Sequence, residues 1–212
     1  MNLTGANDVH SIAIHQDMLL VVSSGTDQIL AYHPENGRFG KHFTYWRASN
    51  VDIDTHHINS VISVNEKVYI SSFGRKRSEL WSSTSRNGSV YCIDDDEILR
   101  DNIEHPHTVI WHNEQVYFCE SMKGTLNSRK EILCTADGYT RGIAWISNEL
   151  VLFATSVGRT VSRSKGVILN PGDPGDRYGT CQIIGFNPIE KRVVSTENTE
   201  FQGPEIYDLL MT

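Results

Sequence analysis

His107–Ser121 reads HTVIWHNEQVYFCES: an apolar run, a polar pair at Asn113-Glu114, and a second apolar run. Short β-branched and aromatic runs on either side of a tight polar turn are the mark of a β-hairpin. Asn suits such a turn because its side chain satisfies nearby backbone groups and tolerates a left-handed φ. The same design occurs three more times, as HSIAIHQDMLLVVSSG from His10, NSVISVNEKVYISSFG from Asn59 and GIAWISNELVLFATS from Gly142. Asn65-Glu66 and Asn148-Glu149 repeat the turn pair, and Gln16-Asp17 stands in its place in the first copy.

The turns at 16, 65, 113 and 148 lie 49, 48 and 35 residues apart. That period suits a four-stranded propeller blade and is too long for leucine-rich or ankyrin repeats. Further strands are expected at 28–32, 89–93, 131–134, 181–186 and 192–195, with Pro- and Gly-rich punctuation at 33–38 and 170–180. An apolar period of 3.6 residues nowhere persists over a dozen positions, so no helix is expected. The reading is an all-β chain, a small β-propeller forming a single domain over 1–212. It has four blades plus a closing strand at Glu205-IYDLLM; a fifth blade would need residues beyond these 212.

Composition sets outer bounds. With 19 basic and 26 acidic side chains the formal charge is −7, which disfavours nucleic acid and anionic membrane as partners. No stretch reaches the roughly 20 apolar residues of a membrane span, and 1–9 lacks the basic start and apolar core of a secretory signal. Cys92, Cys119, Cys134 and Cys181 form no CxxC pair and read as free thiols of a cytoplasmic protein.

Several motifs carry a family resemblance. The run His105-Pro-His107-Thr, Trp111, Val116-Tyr-Phe-Cys-Glu-Ser121 and Gly124 resembles the third repeat of an uncharacterised group of bacterial propeller proteins, a domain of unknown function. Tyr139-Thr-Arg141-Gly142 followed by Ser156-Val-Gly-Arg159 is similar to the next repeat of that group. His57-Ile-Asn59-Ser resembles its second repeat, and Glu205-Ile-Tyr-Asp208 its C-terminal strand. The resemblance implies a propeller fold and brings no established chemistry.

In a propeller, the connection into the innermost strand and the loop after the second strand open on one face. The repeat therefore gathers His10, His57, Asn59, His105, His107, Arg141 and Glu205 there, with Arg75-Lys76-Arg77, Lys123, Arg159, Arg163 and Lys165. Arginine binds carboxylate and phosphate bidentately, and a charged concavity focuses potential. The first functional expectation is thus a binding module that takes a small anionic or sugar-like ligand at the mouth of the central channel. His57, Asn59, His107, Glu120, Arg141, Arg159, Arg163 and Glu205 are its candidate ligand-binding residues. The second is a metal-assisted enzyme of the lyase, hydrolase or cyclotransferase kind. There His10, His57 and His107 hold a divalent metal, with Glu120 or Glu205 as base. A third is a protein-interaction scaffold, and exposed sheet edges would allow a homodimer.

Glu120 with His107 is a conceivable acid–base pair, read first as structural. The cluster Asp52-Ile-Asp54-Thr-His56-His57 reads as an ordinary polar connection, Asp94-Asp95-Asp96 as a turn, and Trp111 and Trp145 as packing between blades. No nucleophile elbow is present.

Overall fold

The computed structural model describes residues 3–35, 38–51, 53–74, 80–157, 179–199, 202–203 and 205–210. Among them, sixteen strands form four meanders of four antiparallel strands each, in sequence order within every sheet. The first holds β1 (Val9–His15), β2 (Met18–Ser23), β3 (Gln28–Glu35) and β4 (Arg38–Arg47). The second holds β5 (Ile58–Val64), β6 (Lys67–Ser72), β7 (Gly88–Cys92) and β8 (Glu97–Ile103). The third comprises β9 (Pro106–His112), β10 (Gln115–Glu120), β11 (Thr125–Ser128) and β12 (Ile132–Thr135). The fourth comprises β13 (Tyr139–Ser147), β14 (Leu150–Ser156), β15 (Gln182–Asn187) and β16 (Arg192–Asn198). Such sheets are the blades of a four-bladed β-propeller, as the repeat predicts. Contacts divide the chain into two compact units, residues 1–109 and 110–212.

The turns show why the repeat is legible. Gln16-Asp17 (φ 46° and 59°), Asn65-Glu66 (51° and 63°) and Asn113-Glu114 (45° and 59°) are left-handed at both positions. That is the I′ geometry, whose twist matches the flanking strands. Asn148-Glu149 joins Ser147 to its partner Leu150 without left-handed residues; Ser147 Oγ accepts the Glu149 N–H at 3.2 Å, and a bulge lies just before it.

Three of the inner strands, β1, β5 and β13, also carry one extra residue near the start. The extra residue falls at His10-Ser11 in β1, at Asn59 in β5 and at Gly142 in β13, the positions the repeat aligns. A bulge re-aims side chains at a strand end, so these positions share backbone form more than side-chain role.

Three strands escape the sequence reading. β4 is broken up by Gly40 and Lys41, β8 is mostly exposed and reads as polar, and β11 has only four residues. The expected closing strand at 205–210 is not a strand. Ser156 Oγ accepts the Ile206 N–H at 2.9 Å and donates to the Ile206 carbonyl at 3.1 Å, so a side chain takes the groups a ladder would use. The described residues also hold one helical turn, α1 (Trp81–Thr84), and two 3-10 turns at Ser24–Thr26 and Ser121–Lys123. The Asp94–Asp96 turn is as expected: Asp94 Oδ2 accepts the Val68 N–H at 2.6 Å and Asp95 pairs with Lys67 at 2.6 Å.

In residues 1–109 the core lies between the first two sheets, where Leu20, Val22, Ile29 and Ala31 meet Ile58, Val61, Val68 and Ile70. The opposite face of β2 and β3 packs Leu19, Val21, Leu30 and Tyr32 on Leu3, Ala6 and Phe39. In residues 110–212, Cys119, Leu126 and Cys134 pack against Ile143, Val151, Phe153, Ile184 and Phe186. Trp145 stacks on His112 at 4.2 Å and tilts against Tyr117 at 4.5 Å, a packing role.

All four cysteines are buried free thiols. Burial pushes the Cys119 thiol far above the ordinary thiol range, because a thiolate there would be stripped of water. A chromogenic disulfide reagent is expected to label no cysteine promptly in the native protein and all four in denaturant. A fast native thiol would contradict this packing.

Candidate functional site

The site residues of 1–109 gather where chain segments turn into the inner strands. Asp8, His57 and His105 each stand nine residues before the second turn residue (17, 66 and 114) and share a left-handed backbone, φ 54°, 48° and 54°. Asp and His are among the side chains that tolerate this region, and repeated strain at one place is a pointer to function.

His57 is the hub. Its backbone N–H donates to Asp54 Oδ1 at 2.8 Å and its Nδ1 lies 2.6 Å from Asp54 Oδ2. The imidazole stacks on Trp81 at 4.5 Å, meets the edge of His10 at 4.7 Å and packs on Phe73 at 5.0 Å. Phe73 in turn stacks on His105 at 4.4 Å and meets His107 edge-on at 4.9 Å. Three histidines thus surround Phe73, and His10 joins them through His57. His10 Nδ1 sits 2.9 Å from Ser24 Oγ and 3.1 Å from the Asp8 carbonyl, and His107 Nδ1 sits 3.2 Å from the His105 carbonyl.

Donor atoms of Asp8, Asp54 and His57 all lie within 4.8 Å of one another, close enough to surround one ion. Two carboxylates and an imidazole make a hard-to-borderline donor set that suits a divalent cation and leaves coordination positions open. Of the histidines expected to bind metal, His57 belongs to this group; His10 lies against it, and His107 lies across Phe73. Asp8 and Asp54 were not among the expected ligands. A signal for Asp54 was present in the Asp-Ile-Asp-Thr-His-His run, whereas Asp8 is marked only by its backbone.

The remaining candidates are placed separately. Asn59 is buried at the β5 bulge. Glu120 is buried and pairs with Lys123 Nζ at 2.8 Å. The Arg141 guanidinium lies over the Tyr139 ring at 5.0 Å and the Tyr207 ring at 4.9 Å, a cation–π arrangement. Glu205 is half-buried, next to the Ile206 backbone that Ser156 holds. Arg159 and Arg163 lie outside the described residues, as do Asp52, Arg75–Arg77 and Lys165.

A second group of 1–109 joins Thr55 and His56 of the 52–57 connection to Asp27. Asp27, fully buried, accepts hydrogen bonds from the His56 N–H at 3.0 Å, the Thr55 N–H at 3.3 Å and Ser49 Oγ at 3.1 Å, and from Thr55 Oγ1. His56 Nδ1 is 3.1 Å from Asp27 Oδ2. Burial alone would raise the Asp27 pKa; these donors, His56 foremost, outweigh it and hold the carboxyl below its ordinary value.

A sequence-family profile for a domain of unknown function matches residues 1–211. No curated protein matches the chain. Among solved structures, a protein described as a gluconolactonase is similar at 13% identity and TM-score 0.53, over 90% of this chain and 74% of that one. An oxidoreductase of the glucose dehydrogenase kind from Thermus thermophilus is similar at 12% identity and TM-score 0.52, over 92% and 85%. These likenesses are of the propeller fold alone.

Proposed function

The chain belongs to DUF4915, a family defined by a domain of unknown function, and from that premise we propose that it is a ligand-binding propeller that works through a divalent cation. The cation sits on Asp8, Asp54 and His57, beside His10. The observation that carries this reading is the approach of those three donors to within 4.8 Å of each other. Three protein ligands with open positions are the arrangement of metal sites that exchange a bound molecule.

The ligand class is the small anionic or polyhydroxylated molecule that the repeat suggests, taken by the cation through its oxygens. The surroundings favour this route over an arginine clamp. The described cluster carries the carboxylates of Asp8 and Asp54, which repel an anion until a cation is present. A Lewis-acid reaction at the same ion is the enzymatic form of this reading.

Metal-stripped protein titrated with Mn²⁺ and Zn²⁺ in a calorimeter is expected to bind one ion per chain. Asp54→Asn is expected to weaken binding at least tenfold. Asp8→Asn, an exposed position, is expected to do so with an unchanged melting temperature. Absence of stoichiometric binding in the unsubstituted protein would sink the proposal.

A further inference from the structure

Between the first two sheets of residues 1–109 lies a cavity of about 230 Å³, separate from the cation site. Its walls are Trp46, Tyr91, Ile70, Ile98 and Ala48, and its polar groups are His56, Ser72, Ser89 and Asp96. We propose that this cavity is a second binding site, for a monosaccharide-sized, uncharged polyhydroxylated molecule, with His56 Nε2 as the central hydrogen-bond acceptor.

The tautomer of His56 follows from its neighbours. Thr55 Oγ1 gives its proton to Asp27, so toward His56 it can only accept. His56 Nδ1 therefore faces two acceptors, Thr55 Oγ1 at 2.6 Å and Asp27 Oδ2 at 3.1 Å, and carries the proton. In the neutral imidazole that leaves a lone pair on Nε2, which among the described residues has no hydrogen-bond partner. Five contacts to a buried carboxylate are a heavy investment for a connection that merely links two sheets. They orient the imidazole of a residue that lines the cavity.

The walls choose the ligand. Trp46 and Tyr91, 6.0 Å apart between ring centroids, offer aromatic faces to the C–H face of a sugar ring. Ser72, which donates to the Gly74 carbonyl at 3.2 Å, and Ser89, 3.3 Å from it, add hydroxyl oxygens that can accept from a ligand hydroxyl. Asp96, at the exposed rim, accepts from the Tyr91 hydroxyl and has acceptor capacity left for a ligand hydroxyl. An anion would meet Asp96 and the Asp27-backed imidazole, which disfavours it. The volume is below the roughly 300–1,000 Å³ of drug-sized sites, so the ligand is small.

The test uses the whole chain with EDTA present, so that it is independent of the cation. Saturation-transfer NMR and tryptophan fluorescence are followed with glucose, galactose and myo-inositol as probes. Saturable binding of at least one probe is expected. His56→Asn, whose shorter amide can still donate to Asp27 but places no acceptor at the Nε2 position, is expected to weaken it at least tenfold. Ser89→Val, which removes a hydroxyl from the wall without touching Asp27 or His56, is expected to do the same. No saturable binding of any probe, or equal binding by the unsubstituted protein and a folded variant, overturns the proposal. Failure of the cation titration leaves this result standing, and the reverse also holds.

Discussion

Asp27→Asn is expected to destabilise residues 1–109 by about 3–5 kcal/mol, because several buried donors lose the carboxylate that accepts from them, at about 1–3 kcal/mol for each donor left unsatisfied. Asparagine keeps the size of the side chain and suits the left-handed backbone at this position, φ 56°. It therefore isolates the loss of the carboxylate. With its nitrogen at the Oδ2 position the amide would turn donor hydrogens toward the Thr55 N–H, the His56 Nδ1 and the Ser49 and Thr55 hydroxyls; flipped, it would turn them toward the His56 N–H. A circular-dichroism melt should register a drop of roughly 6–20 °C, at about 2–4 °C per kcal/mol for a chain of this size. A shift near zero would mean that the Asp27 contacts contribute nothing net.

The pH dependence follows from the direction of the shift. The folded Asp27 carboxyl titrates below its ordinary 3.8, so its contribution is fully present above that value and is lost as pH falls through the lower, folded one. The stability gap between the two proteins should be constant near neutrality and close in strong acid.

Gly142→Val is expected to cost about 2–5 kcal/mol, combining a left-handed backbone penalty with overpacking. Gly142 has φ +62°, and a Cβ there would stand 2.9 Å from the Leu209 nitrogen and 3.0 Å from the Asp208 carbonyl carbon. Both are backbone atoms and cannot swing aside, so the segment 205–210 must move. Proteolysis should then cut that segment faster, and an alanine variant should show a smaller version of the same effect. Unchanged melting and proteolysis in the valine variant would refute this account of the terminal segment.

The hairpins were readable because each is a local object. A turn pair such as Asn65-Glu66 declares its left-handed backbone in its own side chains, and the apolar runs beside it need no distant partner to be recognised. The outer strands β8 and β16 are largely exposed, so the apolar signal weakens there, and only part of β16 was anticipated. The site was harder to read. The repeat was aligned on His10, Asn59, His107 and Gly142, three of which mark a bulge. The residues that approach one another are displaced from it: Asp8 and His57 two positions earlier, and Asp54 three before His57. Nothing local to Asp8 says that it will meet a side chain 49 residues on. Asp27 was invisible for the same reason, since the groups it holds come from 49–56.

The residue seven places after the second turn position is Ser24, Phe73, Ser121 or Ser156. Ser24 donates to the Ile58 carbonyl, 34 residues on; Ser121 to Thr140, 19 on at 2.5 Å; Ser156 to Ile206, 50 on at 3.1 Å. One peg meets one socket whatever the length of chain between them. The joint is thus made by a serine hydroxyl and a backbone carbonyl across stretches of 19, 34 and 50 residues. Where the peg is replaced by Phe73, a ring takes its place and gathers three imidazoles around itself. The joint that carries Phe73 in place of a serine is the one where three histidines assemble, so a ring stack stands there where the others have a hydrogen bond.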